Sequence, residues 1–192
     1  MPVSSSGVEN KGVETESKFN TNMKIGISIK LGILAGLINC VAWYSFAKSL
    51  GYYSVEVYIY RNYVTLAVLI IGIFLTIFLT RKYKNGFLEF SEGLRAGVLF
   101  SLMLALVIGI FNYLYFKYIT PDTIDFFLSE AKKSDFAKNL SGEELNQFLV
   151  AERSTFNSFK LVPPVLFFGL ISSLLASAIF RRKNPEASVE EN

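Results

Sequence analysis

Polar and apolar positions in this chain segregate into whole segments. Leu31–Ala47, Asn62–Thr80, Ala96–Phe116 and Leu161–Phe180 are apolar stretches without a charged residue. A helix needs about 20 such residues to cross roughly 30 Å of hydrocarbon, at about 1.5 Å per residue. The pattern predicts transmembrane helices over about 25–47, 62–80, 94–116 and 161–180. In the last of these, twelve residues are Leu, Ile, Val or Phe. At about −0.3 to −0.6 kcal/mol each, such residues favour insertion by roughly 4–7 kcal/mol before polar and backbone costs. Pro163 and Pro164 fall in its first turn, where a missing N–H costs little.

The segments between the spans are short, except residues 117–160. There, Thr120-Pro121-Asp122 predicts a helix start, followed by an apolar face of Ile124, Phe127, Leu128 and Ala131. Ser141-Gly142-Glu143-Glu144 matches a capping box, followed by Leu145, Phe148 and Leu149. Acids and bases nearly balance on the remaining faces. Such an amphipathic pair either packs as a hairpin over the bundle or lies at the lipid surface; packing is preferred, because two isolated helices are marginal. Residues 1–22 are polar and predict a disordered tail, and the acidic residues 184–192 predict another. The expected fold is therefore all-α: a polytopic membrane domain over 23–183, a bundle of four transmembrane helices with an amphipathic helical hairpin between the third and fourth spans.

Composition agrees, with 52% hydrophobic and 18% charged residues in a chain of 192. The net charge of +3 gives no nucleic-acid surface. The chain has no histidine and one cysteine, Cys40. Ser-His and Cys-His catalysis, an internal disulfide and thiolate metal centres are thereby excluded within the chain. No ionisable residue lies in the middle of a span, where pumps and coupled transporters place theirs. Glu89, Glu92 and Arg95 read as a solvated helix end, and Ser172 and Ser173 have no visible base. No enzyme, cofactor or metal site is expected.

Charge placement sets the orientation. Arg81, Lys82 and Lys84 follow the second span, and Arg181, Arg182 and Lys183 follow the fourth. With an even number of spans, these and the lysines before the first span share one side. The positive-inside rule puts that side, with both termini, in the cytoplasm. Trp43 and nine of the ten tyrosines then map near the outer face. They read as an interfacial aromatic belt in preference to a binding surface for a sugar or headgroup.

Small residues predict how the helices join. Gly93, Gly97, Ser101, Ala105 and Gly109 recur at every fourth position of the third span. Gly32 and Gly36 in the first span, and Gly169, Ser173 and Ser177 in the fourth, are shorter versions. Helices in lipid gain little from the hydrophobic effect against each other, so close approach along such ridges must join them. Packing within the chain is preferred to packing between chains. Asn39 and Asn112 are the most polar deep residues, and they predict interhelical hydrogen bonds in preference to a polar pathway.

Three segments carry a family resemblance: Phe90-Ser91-Glu92-Gly93-Leu94-Arg95-Ala96-Gly97, Ser141-Gly142-Glu143-Glu144, and Gly169-Leu170-Ile171-Ser172-Ser173-Leu174-Leu175 with the basic stop Arg181-Arg182-Lys183. With the long third connector, they resemble the bacterial membrane family catalogued as domain of unknown function 4199, over about Lys24 to Lys183. The resemblance implies a protein of the bacterial inner membrane and brings no catalytic residue. The expected function is non-enzymatic: a structural or accessory component in contact with membrane lipid, binding a protein or lipid partner through its outward connector. The alternative is a small homo-oligomeric transporter or channel.

Overall fold

A computed structural model of the chain describes residues 9–52, 55–155 and 161–182. Among these it is all-helical: α1 (Glu9–Leu50), α2 (Val55–Lys82), α3 (Phe90–Leu114), α4 (Thr123–Lys133), α5 (Asp135–Lys138), α6 (Gly142–Thr155) and α7 (Val162–Phe180). Four segments are long and apolar enough to cross a membrane: Gly26–Leu50, Glu56–Lys82, Phe90–Ile119 and Val162–Phe180. Each carries large apolar side chains on its outer face, among them Leu37 and Val41, Ile71 and Leu75, Leu106 and Ile110, and Leu175 and Ile179. An apolar surface of this extent suits lipid as solvent.

The third long helix is the hub. α3 packs against α1, α2 and α7, and α2 also touches α1 and α7. Gly93, Gly97, Ser101, Ala105 and Gly109 are all buried. Gly97 faces Ser173, Gly93 faces Ser177, and Ser101 faces Gly169, so this ridge runs antiparallel along α7. A Cβ on Gly97 would lie 2.3 Å from Ser173 Oγ, and one on Gly169 would lie 2.3 Å from Ser101 Oγ. On another side, Gly32 and Gly36 of α1 receive Met103 and Val107. Towards α2 the shape is reversed. Phe100 projects into the hollow at Gly72, where a Cβ would meet Phe100 Cζ at 2.1 Å. Two of the seam hydroxyls are satisfied locally, whereas that of Ser177 is buried without a hydrogen-bond partner among the described residues. Ser101 donates to the Gly97 carbonyl at 2.9 Å and Ser173 to the Gly169 carbonyl at 2.6 Å. Leu69, Ile73, Ile77, Leu104 and Ile108 fill the centre, with Phe100.

Helix boundaries depart from the sequence reading in instructive places. α1 starts at Glu9, inside the stretch expected to be a tail. Extending an existing helix adds one hydrogen bond per residue and needs no new nucleus. α2 starts at Val55 instead of Asn62, and so takes in Arg61. α3 continues through a π-helical turn at Tyr115–Ile119, where the Thr120 N–H donates to the Tyr115 carbonyl at 3.0 Å. That extension displaces the expected helix start at Thr120, and Pro121 lies in the turn before α4. α4 and α6 contact each other. Ile124, Phe127, Leu128 and Ala131 of α4 are half-buried, as are Leu145, Phe148 and Leu149 of α6. The additional short helix α5 is capped by Ser134, whose hydroxyl accepts from the Ala137 N–H at 3.2 Å. Residues 1–8, the last residues of the 117–160 connector, Lys183 and 184–192 lie outside the described residues.

The seam between α3 and α7 yields a prediction. Gly97→Val should destabilise the bundle by about 1–3 kcal/mol, the usual cost of overpacking. Gly26→Ala, where a new Cβ meets nothing within 4 Å, should stay within about 0.5 kcal/mol of the parent. Thermal unfolding in detergent compares the two. Pairing Gly97→Ala with Ser173→Gly should recover most of any loss caused by Gly97→Ala alone.

Candidate functional site: an arginine held between aromatic rings

The polar features of the bundle gather at its two ends, and a hydrogen bond joins two of the long helices in the interior. There the Thr65 hydroxyl donates to Asn39 Oδ1 at 3.3 Å, joining α2 to α1, and both residues are buried. Asn112 is buried on α3.

At one end the chain is clasped by charge and backbone. After α2, Arg81 Nε donates to the Gly86 carbonyl at 2.9 Å. Lys84 pairs with Glu92. Glu89 and Glu92 cap α3 reciprocally, which gives both acids a structural task at the start of that helix. Leu88 then pairs with Arg182 through two antiparallel backbone hydrogen bonds, each 3.0 Å. The bridge draws the end of α7 to the entry of α3. Lys82, Arg95, Arg181 and Arg182 are exposed around it.

The other end holds a compact aromatic cluster. Trp43 of α1 is buried to 2% exposure and Tyr115 to 0%, with ring centroids 4.4 Å apart. Phe111 and Phe116 meet the Trp43 ring at 5.3 and 6.3 Å. Arg61 lies over this assembly. Its guanidinium carbon is 5.0 Å from the Trp43 centroid and 5.1 Å from that of Tyr58. Tyr58 also stacks edge-on against Phe127, at 5.1 Å, tying the start of α4 to the bundle. A guanidinium between two ring faces is held electrostatically, by about 2 kcal/mol or more per ring once desolvated.

The cluster holds a cation and several buried polar groups without a hydrogen-bond partner among the described residues. Arg61 Nε reaches Asn62 Oδ1 at 3.4 Å. Among the described residues, no carboxylate lies within ion-pair distance of Arg61. Trp43 Nε1, buried from solvent, has no hydrogen-bond partner. The Tyr115 and Thr120 hydroxyls are near each other, but neither makes a hydrogen bond of good geometry. The Thr123 hydroxyl is buried and unpartnered as well. Buried polar groups usually find partners, so several orphans in one place are unusual.

The structure divides the aromatic residues assigned to a belt. Tyr44, Tyr60, Tyr63, Tyr113 and Tyr118 are exposed. Trp43 and Tyr115 are interior, and Tyr52 and Tyr58 are half-buried. Tyr53 lies outside the described residues. Just beyond α1, the Tyr52 hydroxyl is held above its ordinary pKa, first by its hydrogen bond with Tyr44. Sequence reasoning passed over Arg61 because a charge marked the edge of an apolar stretch. The available signal was Tyr58 one turn before it, with the sole tryptophan near the end of the preceding span.

Among the described residues, no group of three or more His, Cys, Asp or Glu is placed to hold a metal ion. Cys40 is buried as a free thiol. Between α2 and α7 a groove of about 450 Å³ opens on the outer surface, lined by apolar side chains such as Ile70, Phe74 and Phe180.

These features define a helical membrane protein with a tightly packed interior and chemically different ends. The family described as "Protein of unknown function (DUF4199)" matches residues 30–182, and the chain belongs to that family. No curated protein and no solved structure matches it.

Two predictions follow from these contacts. Thr65→Val should cost about 0.6–1.7 kcal/mol, the range for interhelical hydrogen bonds in membranes. Asn39→Leu on the Thr65→Val background should cost less than on the parent, as read from a double-mutant cycle of unfolding. The second concerns Glu144, held below its ordinary pKa first by the Ser141 N–H, at 2.9 Å, and then by the Ser141 hydroxyl. A depressed carboxylate contributes stability above its unfolded pKa and loses it as pH falls through the folded value. Amide exchange in the first turn of α6 should therefore be protected at neutral pH and lose protection in acid. In Glu144→Gln, that acid-dependent step should vanish.

Proposed function

We propose that this protein is a non-enzymatic accessory component of the bacterial inner membrane, with both termini cytoplasmic, whose outward connector binds a protein partner. The orientation rests on the cations gathered at the clasped end. The carrying observation is the surface of the connector. α4, α5 and α6 leave Phe126, Phe136 and Val150 exposed, although α4 and α6 already pack on each other. Phe136 stands against Phe148 at 5.5 Å, so this apolar ridge has support from beneath. A groove of about 340 Å³ between α4 and α6 adds Leu128 and Leu149, bordered by Asp125, Lys132 and Arg153.

Charge favours protein over a lipid surface as the occupant. Helices that lie on anionic membranes carry an excess of Lys and Arg on the polar face. This connector has acids and bases in near balance along its length. Interspersed charges around aromatic anchors suit a protein interface. A solute path through one bundle finds no support, because the centre is filled by Leu69, Ile73, Phe100 and Leu104.

Photocrosslinking in native membranes tests the reading, with a probe placed at Phe136, Val150 or lipid-facing Ile71. The expected result is one protein adduct of the same mass from positions 136 and 150, none from 71, and its loss on Val150→Asp. Adducts to lipid alone, or to a second copy of this chain alone, would overturn it.

A further inference from the structure

Among the described residues, the cluster under the connector contains a cation and several donors, with no carboxylate within ion-pair distance of Arg61. We propose that Arg61 binds the phosphate of a lipid headgroup where α2 enters the bilayer. The inference is independent of the partner proposed for the connector.

The charge balance comes first. Arg61 is half-buried in a membrane-length helix and has no carboxylate partner among the described residues. Removing a guanidinium from water is costly unless charge and hydrogen bonds are returned to it. The Trp43 and Tyr58 rings return part of this by attraction to their faces. They leave its planar fork of N–H groups largely unfilled, because among the described residues only Nε has a hydrogen-bond acceptor, Asn62 Oδ1. Such a fork matches two oxygens of a phosphate, and contact with two rings reduces the ordering that binding would otherwise require.

The surroundings select the same chemistry. Trp43 Nε1 can only donate, and the Tyr115 and Thr120 hydroxyls can. A phosphate accepts from a guanidinium, an indole N–H and rotatable hydroxyls alike. The π turn at Tyr115–Ile119 brings Tyr115 and Thr120 together, and π segments inside α-helices recur at functional sites.

Depth selects the source of the phosphate. Arg61 lies six residues beyond Val55, the first residue of α2, roughly 9 Å along the helix axis. By length and composition the membrane-length segment is Glu56–Lys82, which places Arg61 near one end of it. Ile59 and Tyr63 are exposed on the far face of α2 at the same level, which suits that level to lipid. A phosphate carried on acyl chains reaches that level laterally, whereas a free anion would have to leave water to do so.

The protein carries its own probe, because Trp43 is the only tryptophan in the chain. The experiment uses the full chain in phosphatidylcholine nanodiscs doped with increasing phosphatidic acid, and follows Trp43 emission. A saturable change is expected with phosphatidic acid, and none with diacylglycerol or with inorganic phosphate in solution. Arg61→Gln should weaken the apparent affinity about tenfold or more, for loss of charge-assisted hydrogen bonds. Arg61→Lys, which keeps the charge but not the fork, should fall between. Lys48→Gln removes an exposed cation outside the cluster and should leave the titration unchanged. An equal response to inorganic phosphate would assign the site to a free anion and overturn the lipid reading. The absence of a saturable response in the folded parent would overturn the site altogether. So would a parent-like titration in Arg61→Gln, whatever that variant does to thermal stability. Should Arg61→Gln fail to fold, the comparison of parent with Arg61→Lys decides: equal affinities overturn the proposal.

Discussion

Everything in this bundle depends on how closely α3 can approach its neighbours. In water, burying Leu and Ile between helices would itself drive assembly. In lipid it does little, because acyl chains solvate those side chains as well as other helices do. What remains is contact at short range, and contact requires surfaces that fit. α3 provides a flat face of Gly93, Gly97, Ser101 and Ala105 for α7, and a protruding Phe100 for the hollow at Gly72. The two modes are complementary. One brings backbones together by removing side chains, and the other fills the space left by a missing side chain. The Ser101 and Ser173 hydroxyls bond to carbonyls of their own helices, so α3 and α7 approach at these positions without burying unsatisfied groups.

How much of this could be read from the sequence follows from the range of each interaction. Long apolar runs are local and unambiguous, so the membrane-length helices were legible within a few residues. A small residue at every fourth position is also local, and it named Gly97 and Ser173 as seam residues. It could not name their pairing with each other, which depends on antiparallel register. Asn39 was legible as a buried amide, but its acceptor role towards Thr65 was not, because threonines are common along an apolar helix. In the connector, the half-buried positions of α4 and α6 follow the apolar periodicity. The short helix α5 was missed, since four residues are too few to show a period.

Arg61 was misjudged for a more general reason. Hydropathy reads a charge as the end of a span, because an isolated guanidinium in hydrocarbon is costly. The cost depends on what surrounds the group. With Trp43 contributed by α1 and Tyr58 one turn away on α2, the helix continues through the charge. The partner that makes this possible is distant in sequence and belongs to a different span. The same holds for Trp43, which looks interfacial by position. It becomes interior because Phe111, Tyr115 and Phe116 close round it.

The two ends of the molecule therefore differ in kind. At the basic end three polar contacts have an evident structural purpose: Lys84 with Glu92, Arg81 with the Gly86 carbonyl, Leu88 with Arg182. These contacts close a turn, cap a helix and join α7 to α3. At the aromatic end, among the described residues, a half-buried cation lacks a carboxylate and Trp43 Nε1 lacks an acceptor. Sequences that specify one structure tend to break local rules where function requires it. Packing alone would be served as well by Leu or Met at position 61, without the desolvation of a charge. An arginine flattened between rings, beneath the helices that face away from the basic end, is a costly way to fill space and an effective way to hold a recognition group still.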